Sequence, residues 1–252
     1  MSLKINELDK PENLLTDSDY LNKTIEQIKK NEVFIYRNFF DSNIIEQLIE
    51  YLVNVGKHSI PRYEPITTGA ANGHIINRWD PRATVQACFH QFNFFPWNGD
   101  VFDIFERTKF MYQIKNVLSG HNPNSYMTQL PAEGFTRRVA FQFYPSGIGG
   151  LQKHSDPVGE HQLVVPTMNL NRKGIDFLTG GAYVEIGGVK YFTDEISGPG
   201  DVLFFNAQTA HGVEIIDEGV KPDWYSFKGR WMMLFALNSV DHSKPALAKQ
   251  LN

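Results

Sequence analysis

Cysteine is almost missing from this chain. Cys88 is the single one in 252 residues, which excludes an internal disulfide and predicts a reducing compartment. No apolar run approaches the roughly 18 residues of a membrane-spanning helix. Charge of neither sign dominates: 24 Lys and Arg stand against 28 Asp and Glu, a net charge of -4. With no basic stripe or tail, general polyanion binding is disfavoured. The first residues, Met-Ser-Leu-Lys-Ile-Asn, lack the charged-then-apolar pattern of a secretory signal. No repeat or low-complexity segment appears. The expectation is a soluble, cytoplasmic protein that binds neither nucleic acid nor membrane. Its oligomeric state leaves no trace in the sequence.

What is present is ordinary globular composition, 42% hydrophobic and 21% charged, enough for one large domain over residues 1–252. Nineteen Phe favour a β-rich core or an apolar pocket. Residues 1–137 read as a helical and irregular part. A short helix is expected near 21–30 and a strand at 33–36. Asp41 offers an N-cap to a helix whose Ile44, Ile45, Leu48, Ile49, Leu52 and Val53 recur at helical spacing; Gly56 is its expected stop. Asp100 is expected to cap a helix running to about residue 118.

Residues 57–99 show no clear periodicity. Their Pro and Gly are interspersed with His74, Arg78, Trp79, Arg82, His90, Phe92, Phe94, Phe95 and Trp97. Such a stretch is either a substrate-covering loop, with Arg78 and Trp97 as anchors, or an aromatic packing loop. His74 and His90 have no carboxylate two residues on and read as ordinary polar residues.

From residue 138 the pattern changes to short strands split by glycines. Strands are expected near 139–144, 152–155, 162–169, 182–186, 189–192, 201–206, 212–216 and 230–237. Eight such strands predict a mainly β fold with some α: a double-stranded β-helix, that is a cupin-like jelly roll, over 138–240, buttressed by the N-terminal helices.

Within it, His154 and Asp156 stand two apart. In extended chain, residues i and i+2 share a face, so an imidazole and a carboxylate can share one metal. His211, after the apolar run 202–205, is the candidate third ligand. The pair alone carries little: 8 His and 14 Asp in 252 residues give roughly 0.4 His-x-Asp pairs by chance. Ser155-Asp-Pro157 is also good turn chemistry. Two His and one carboxylate on one side of a metal form the facial triad of non-haem Fe(II) sites. Arg230, heading the apolar run 231–237, suits a carboxylate.

The ordered set resembles the Fe(II)/2-oxoglutarate-dependent oxygenase superfamily over about residues 138–237, with the 33–53 strand and helix also usual there. Tyr144-Pro-Ser-Gly147 before His154-x-Asp156 is similar to the prolyl-hydroxylase-like branch, though a phytanoyl-hydroxylase-like membership stays open. Gly180-Gly-Ala182, Pro199-Gly-Asp-Val-Leu-Phe-Phe205, His211-Gly-Val213 and Arg230 follow in family order. The gap from His211 to Arg230 is longer than usual, so Lys221 and Lys228 are alternative carboxylate partners.

The resemblance implies Fe(II) held by His154, Asp156 and His211, 2-oxoglutarate as cosubstrate with its far carboxylate on Arg230, and O2. Tyr144, Thr167 and Asn169 are candidate contacts to 2-oxoglutarate. Arg138 and Gln142 share the Tyr144 face by strand alternation, either in the pocket or on a polar outer face. The implied reaction is hydroxylation of an unactivated C–H in a small metabolite or amino-acid derivative. Asp156 argues against halogenation, whose enzymes carry a small residue there. A peptidyl or protein hydroxylase, or a cupin-type metal enzyme or binding protein without 2-oxoglutarate, are the alternatives.

Overall fold

A computed structural model describes residues 2–63, 65–81, 83, 85–156 and 161–240; Arg82 and Pro157 of the sequence motifs lie outside them. The chain opens with β1 (Ile5–Glu7), α1 (Asn13–Thr16), α2 (Ser18–Lys29), β2 (Val33–Tyr36) and α3 (Ser42–His58). Asp41 caps α3 as expected, its carboxylate accepting from the Ile44 N–H at 2.9 Å. Gly56 does not stop α3, which runs on to His58. A Cβ there would sit 2.4 Å from the Phe227 ring, so the glycine makes room for an aromatic.

The irregular segment of the sequence contains two strands, β3 (Gly73–Arg78) and β4 (Ala87–Phe94), paired antiparallel. β4 alternates poorly because both of its faces are covered, which erases the period-2 signal. The single helix expected after Asp100 is instead α4 (Ile104–Arg107) and α5 (Lys109–Leu118). The Asp100 carboxylate still accepts from the N–H groups of Phe102 and Ile104.

The β-rich part follows: β5 (Phe135–Pro145), β6 (Gly150–His154), β7 (Thr167–Asn169), β8 (Gly181–Ile186), β9 (Val189–Phe192), β10 (Val202–Phe204), β11 (His211–Glu214) and β12 (Gly229–Ser239). The strand expected over 162–169 shrinks to three residues. Pro166 has no N–H to give a ladder, and before it only Val164 forms an isolated bridge, to Asn206. The strands join in the order β1-β2-β10-β7-β12-β5-β4-β6-β11-β8-β9, with β3 on β4. Residues of β5 and β12 and residues of β6, β8 and β11 line one cavity, so the sheet curls over on itself as a jelly roll.

Alternation on β5 and β12 sorts two environments. Val139, Phe141 and Phe143 of β5, with Trp231, Met233 and Phe235 of β12, face a core shared with Ile45, Leu48 and Leu52 of α3 and Met111 and Ile114 of α5. Burying each such side chain contributes about 1.5–3 kcal/mol. The helices thus hold the outer face, and the opposite residues are left to the cavity. Among the described residues no helix is long and apolar enough to cross a membrane.

Candidate metal centre and cavity

β6 and β11 run antiparallel with His154 directly opposite His211, and the register shifts between His211 and Val213. Gly212 permits this approach: a Cβ would lie 2.8 Å from the Leu151 carbonyl and from the Tyr183 hydroxyl. Asp156 follows the end of β6, its N–H donating to the Ala207 carbonyl at 2.9 Å.

Each imidazole is oriented by its own chain. His154 Nδ1–H donates to the Gln152 carbonyl at 2.9 Å, and His211 Nδ1–H donates to the Thr209 carbonyl at 2.8 Å. A carbonyl can only accept, so Nδ1 carries the proton and Nε2 keeps its lone pair. Those Nε2 atoms stand 3.6 Å and 3.7 Å from the two oxygens of Asp156. All three ligand atoms lie within 4.8 Å of one another, and no other such group of three occurs among the described residues. Carbonyls fixing the far nitrogen of a ligating imidazole is the usual outer support of a metal site.

Burial pulls the His154 pKa down, but the neighbouring Asp156 carboxylate outweighs it and holds the imidazole above its usual range. His211 is shifted the other way, by burial and by His154, against the pull of Asp156.

The three residues open into a cavity of about 560 Å³. Of the other sequence candidates, Arg230, Tyr144, Thr167, Arg138 and Gln142 line it. Arg230 is fully enclosed, its Nε and Nη2 held by the Asp194 carboxylate at 2.8 Å and 2.9 Å. Nη2 also donates to Asn169 Oδ1 at 2.9 Å, while Nη1 has no partner among the described residues. Burial lowers and Asp194 raises the Arg230 pKa, with a net rise. Tyr144 donates its hydroxyl to Gln142 Oε1 at 2.7 Å, and its ring lies 5.8 Å from the Arg230 guanidinium.

Five candidates lie elsewhere. Asn169 is absent from the lining and positions Arg230. Lys221 and Lys228 are exposed. Trp97 stacks on Phe95 and donates its indole N–H to the Ala70 carbonyl at 2.7 Å. Arg78 packs over Trp224 at 5.7 Å. Neither lines the cavity; Val85, Ala87 and Phe89 do so from that part of the chain.

Two residues escaped the sequence reading. Asp194 sits in a short 3-10 turn with no motif around it. Its signal was indirect: Gly181, at φ +117°, has no Cβ to strike the Asp194 carboxylate, which would be 2.6 Å away. Lys115 is buried, its Nζ donating to the Phe235 carbonyl at 2.7 Å and to Gln162. Burial pushes its pKa down to about 7. A Lys on the Met111, Ile114, Leu118 face of α5 was the readable signal.

Two imidazole nitrogens and a carboxylate suit Fe(II), and the orphaned Arg230 Nη1 suits a carboxylate oxygen. The residues therefore fit both groups. No family model matches the sequence, and no curated protein does. Solved structures do match. A Pseudomonas putida prolyl-4-hydroxylase aligns with TM-score 0.51 at 12% identity, over 85% of this chain and 97% of that one. JOX2 in complex with 2OG, Fe and JA aligns with TM-score 0.55 at 13% identity, over 95% and 75%. A Neurospora crassa protein in complex with alpha-KG and thymine aligns with TM-score 0.52 at 10% identity, over 99% and 92%. The chain takes the double-stranded β-helix fold of the Fe(II)/2-oxoglutarate-dependent oxygenases.

Proposed function

We propose that this protein is an Fe(II)- and 2-oxoglutarate-dependent oxygenase that hydroxylates an unactivated C–H of a small metabolite or amino-acid derivative. One observation carries the reading: two imidazoles with their Nε2 lone pairs fixed toward one carboxylate share a cavity with a buried arginine that has a donor to spare.

His154, Asp156 and His211 would hold the metal by one face. Arg230 would meet the far carboxylate of 2-oxoglutarate through Nη1, with Asp194 and Asn169 keeping the guanidinium in place. Bound iron supplies O2 activation coupled to conversion of 2-oxoglutarate into succinate and CO2. The protein's share is orientation and dryness. Phe89, Val184, Phe205, Met232 and Leu234 make apolar walls, and about 560 Å³ is within the usual size of a small-molecule site. That volume supports a metabolite over a protein chain. Asp156 fills the ligand position that halogenation would need open.

Anaerobic titration with Fe(II) and then 2-oxoglutarate tests this. The expected result is the weak visible charge-transfer band of a chelated keto-acid, lost in His211→Ala and weakened in Arg230→Ala. Iron binding without the band would shift the reading to a cupin that uses no cosubstrate. No iron binding would refute both.

A further inference from the structure

Among the described residues, Arg138 is the one strong charge in the cavity that no carboxylate answers. The residue is 8% exposed and lines the cavity. Its Nε donates to Asn238 Oδ1 at 2.7 Å and its Nη1 to Asn93 Oδ1 at 2.6 Å. Both partners are neutral, and among the described residues no acid pairs with it. Burial lowers its pKa to about 10. Arg230, by contrast, is already neutralised by Asp194.

The rest of the cavity repeats the imbalance. Among the described lining residues Asp156 is the sole carboxylate, and the metal would consume it. Lys115, packed behind the wall, is near enough to both Asp156 and Arg138 for each to shift its pKa. A buried guanidinium without a counter-charge is costly, so the site is built for an anion that arrives with a ligand.

With 2-oxoglutarate on Arg230, as proposed above, that anion belongs to a second ligand. Arg138 pairs with Ala236 and Arg230 pairs with Tyr144 across β5 and β12. The two positions are six residues apart on β5, roughly 20 Å between backbones along the strand, and each guanidinium is tied at its own end, Arg138 by Asn93 and Asn238 and Arg230 by Asp194 and Asn169. Resting on the function proposed above, we infer that the substrate carries a carboxylate and that Arg138 recognises it, at the end of the cavity opposite Arg230. The reacting carbon would then lie between the two guanidinium groups, beside His154, Asp156 and His211.

The experiment uses the full chain loaded with Mn(II) and saturating 2-oxoglutarate, whose binding is first verified by calorimetry. Straight-chain carboxylates from acetate to octanoate, each beside its primary amide, are then titrated by calorimetry and thermal shift. The expected result is binding of carboxylates but not amides, weakened at least about tenfold in Arg138→Gln and partly restored in Arg138→Lys. Arg138→Met should leave the ligand-free melting temperature unchanged or raised, as removal of an unanswered buried charge does. A clear fall in melting temperature for Arg138→Met, with carboxylates and amides bound alike or not at all, would overturn the inference and make Arg138 a structural bridge between Asn93 and Asn238. Weakened 2-oxoglutarate binding in Arg138→Gln would also overturn it, by giving Arg138 to the cosubstrate. Failure of Mn(II) or 2-oxoglutarate to bind wild type would instead refute the underlying function.

Discussion

His154 and His211 face each other across β6 and β11 with ring centroids 4.3 Å apart, and each is tied through Nδ1 to the carbonyl two residues before it. The same local device, used twice, turns two Nε2 atoms toward Asp156. The site is therefore organised before any metal arrives.

That organisation makes a clean prediction for the three residues. They are only partly buried, with side-chain exposures of 14%, 26% and 14% for His154, Asp156 and His211. His211→Ala or Asp156→Ala should lower Mn(II) affinity more than about 100-fold, beyond the effect of losing an outer support. Apo stability should change by no more than about 1 kcal/mol. Calorimetric metal titration and chemical unfolding check the two halves separately.

Asp194 should behave differently. It shares a nearly solvent-free ion pair with Arg230, with side-chain exposures of 4% and 3%. Asp194→Asn leaves a buried guanidinium without its charge partner, at a cost of about 3–5 kcal/mol. For a chain of this size that is a fall of roughly 6–20 °C in melting temperature. 2-Oxoglutarate binding should weaken while Mn(II) binding persists. Thermal unfolding and paired titrations would reveal the split.

Acid should weaken the fold through His74 and His90. Ser59 Oγ, His74 and His90 form a hydrogen-bonded chain, 2.8 Å and 3.0 Å long at its two links. Burial pushes both imidazoles down to about 4 from an ordinary 6.5. Above pH 6.5 both histidines are neutral in folded and unfolded chains alike. Between pH 6.5 and 4 the unfolded chain takes protons that the native state refuses, so stability falls as pH drops and levels off below 4. The loss is on the order of 3 kcal/mol per histidine as an upper limit. Urea unfolding across that window measures it, and His90→Phe should flatten the slope.

Trp97 is the contrasting case. Trp97→Phe removes the donor to the Ala70 carbonyl and should cost about 1 kcal/mol of stability. Because the residue does not line the cavity, 2-oxoglutarate affinity should stay at the wild-type value. A changed affinity in the same titration would place the loop nearer the cosubstrate than the structure does.

Much of the architecture was legible because its signals are local. The N-cap at Asp41, the helical spacing of α3 and the jelly-roll strands all follow from residues within one or two turns of each other. Alternation on β5 correctly put Arg138, Gln142 and Tyr144 on one face, though it could not say that this face was the cavity. β4 went unread because a strand covered on both faces has no alternation to show, and β3 because its adjacent Ile75 and Ile76 break the apolar-polar alternation. Thr167 and Asn169 looked equivalent from spacing, yet one lines the cavity and the other grips Arg230.

The sequence by itself determined which residues could carry the chemistry: an imidazole and a carboxylate two apart, a second imidazole after an apolar strand, and an arginine heading the last one. Tertiary structure alone decided what each would meet. Arg230 finds Asp194 from 36 residues away, and Arg138 finds no acid at all among the described residues. Periodicity reports which way a side chain points. Its partner is set by how the sheet curls, and that depends on contacts far apart in the chain, which leave no local pattern to read.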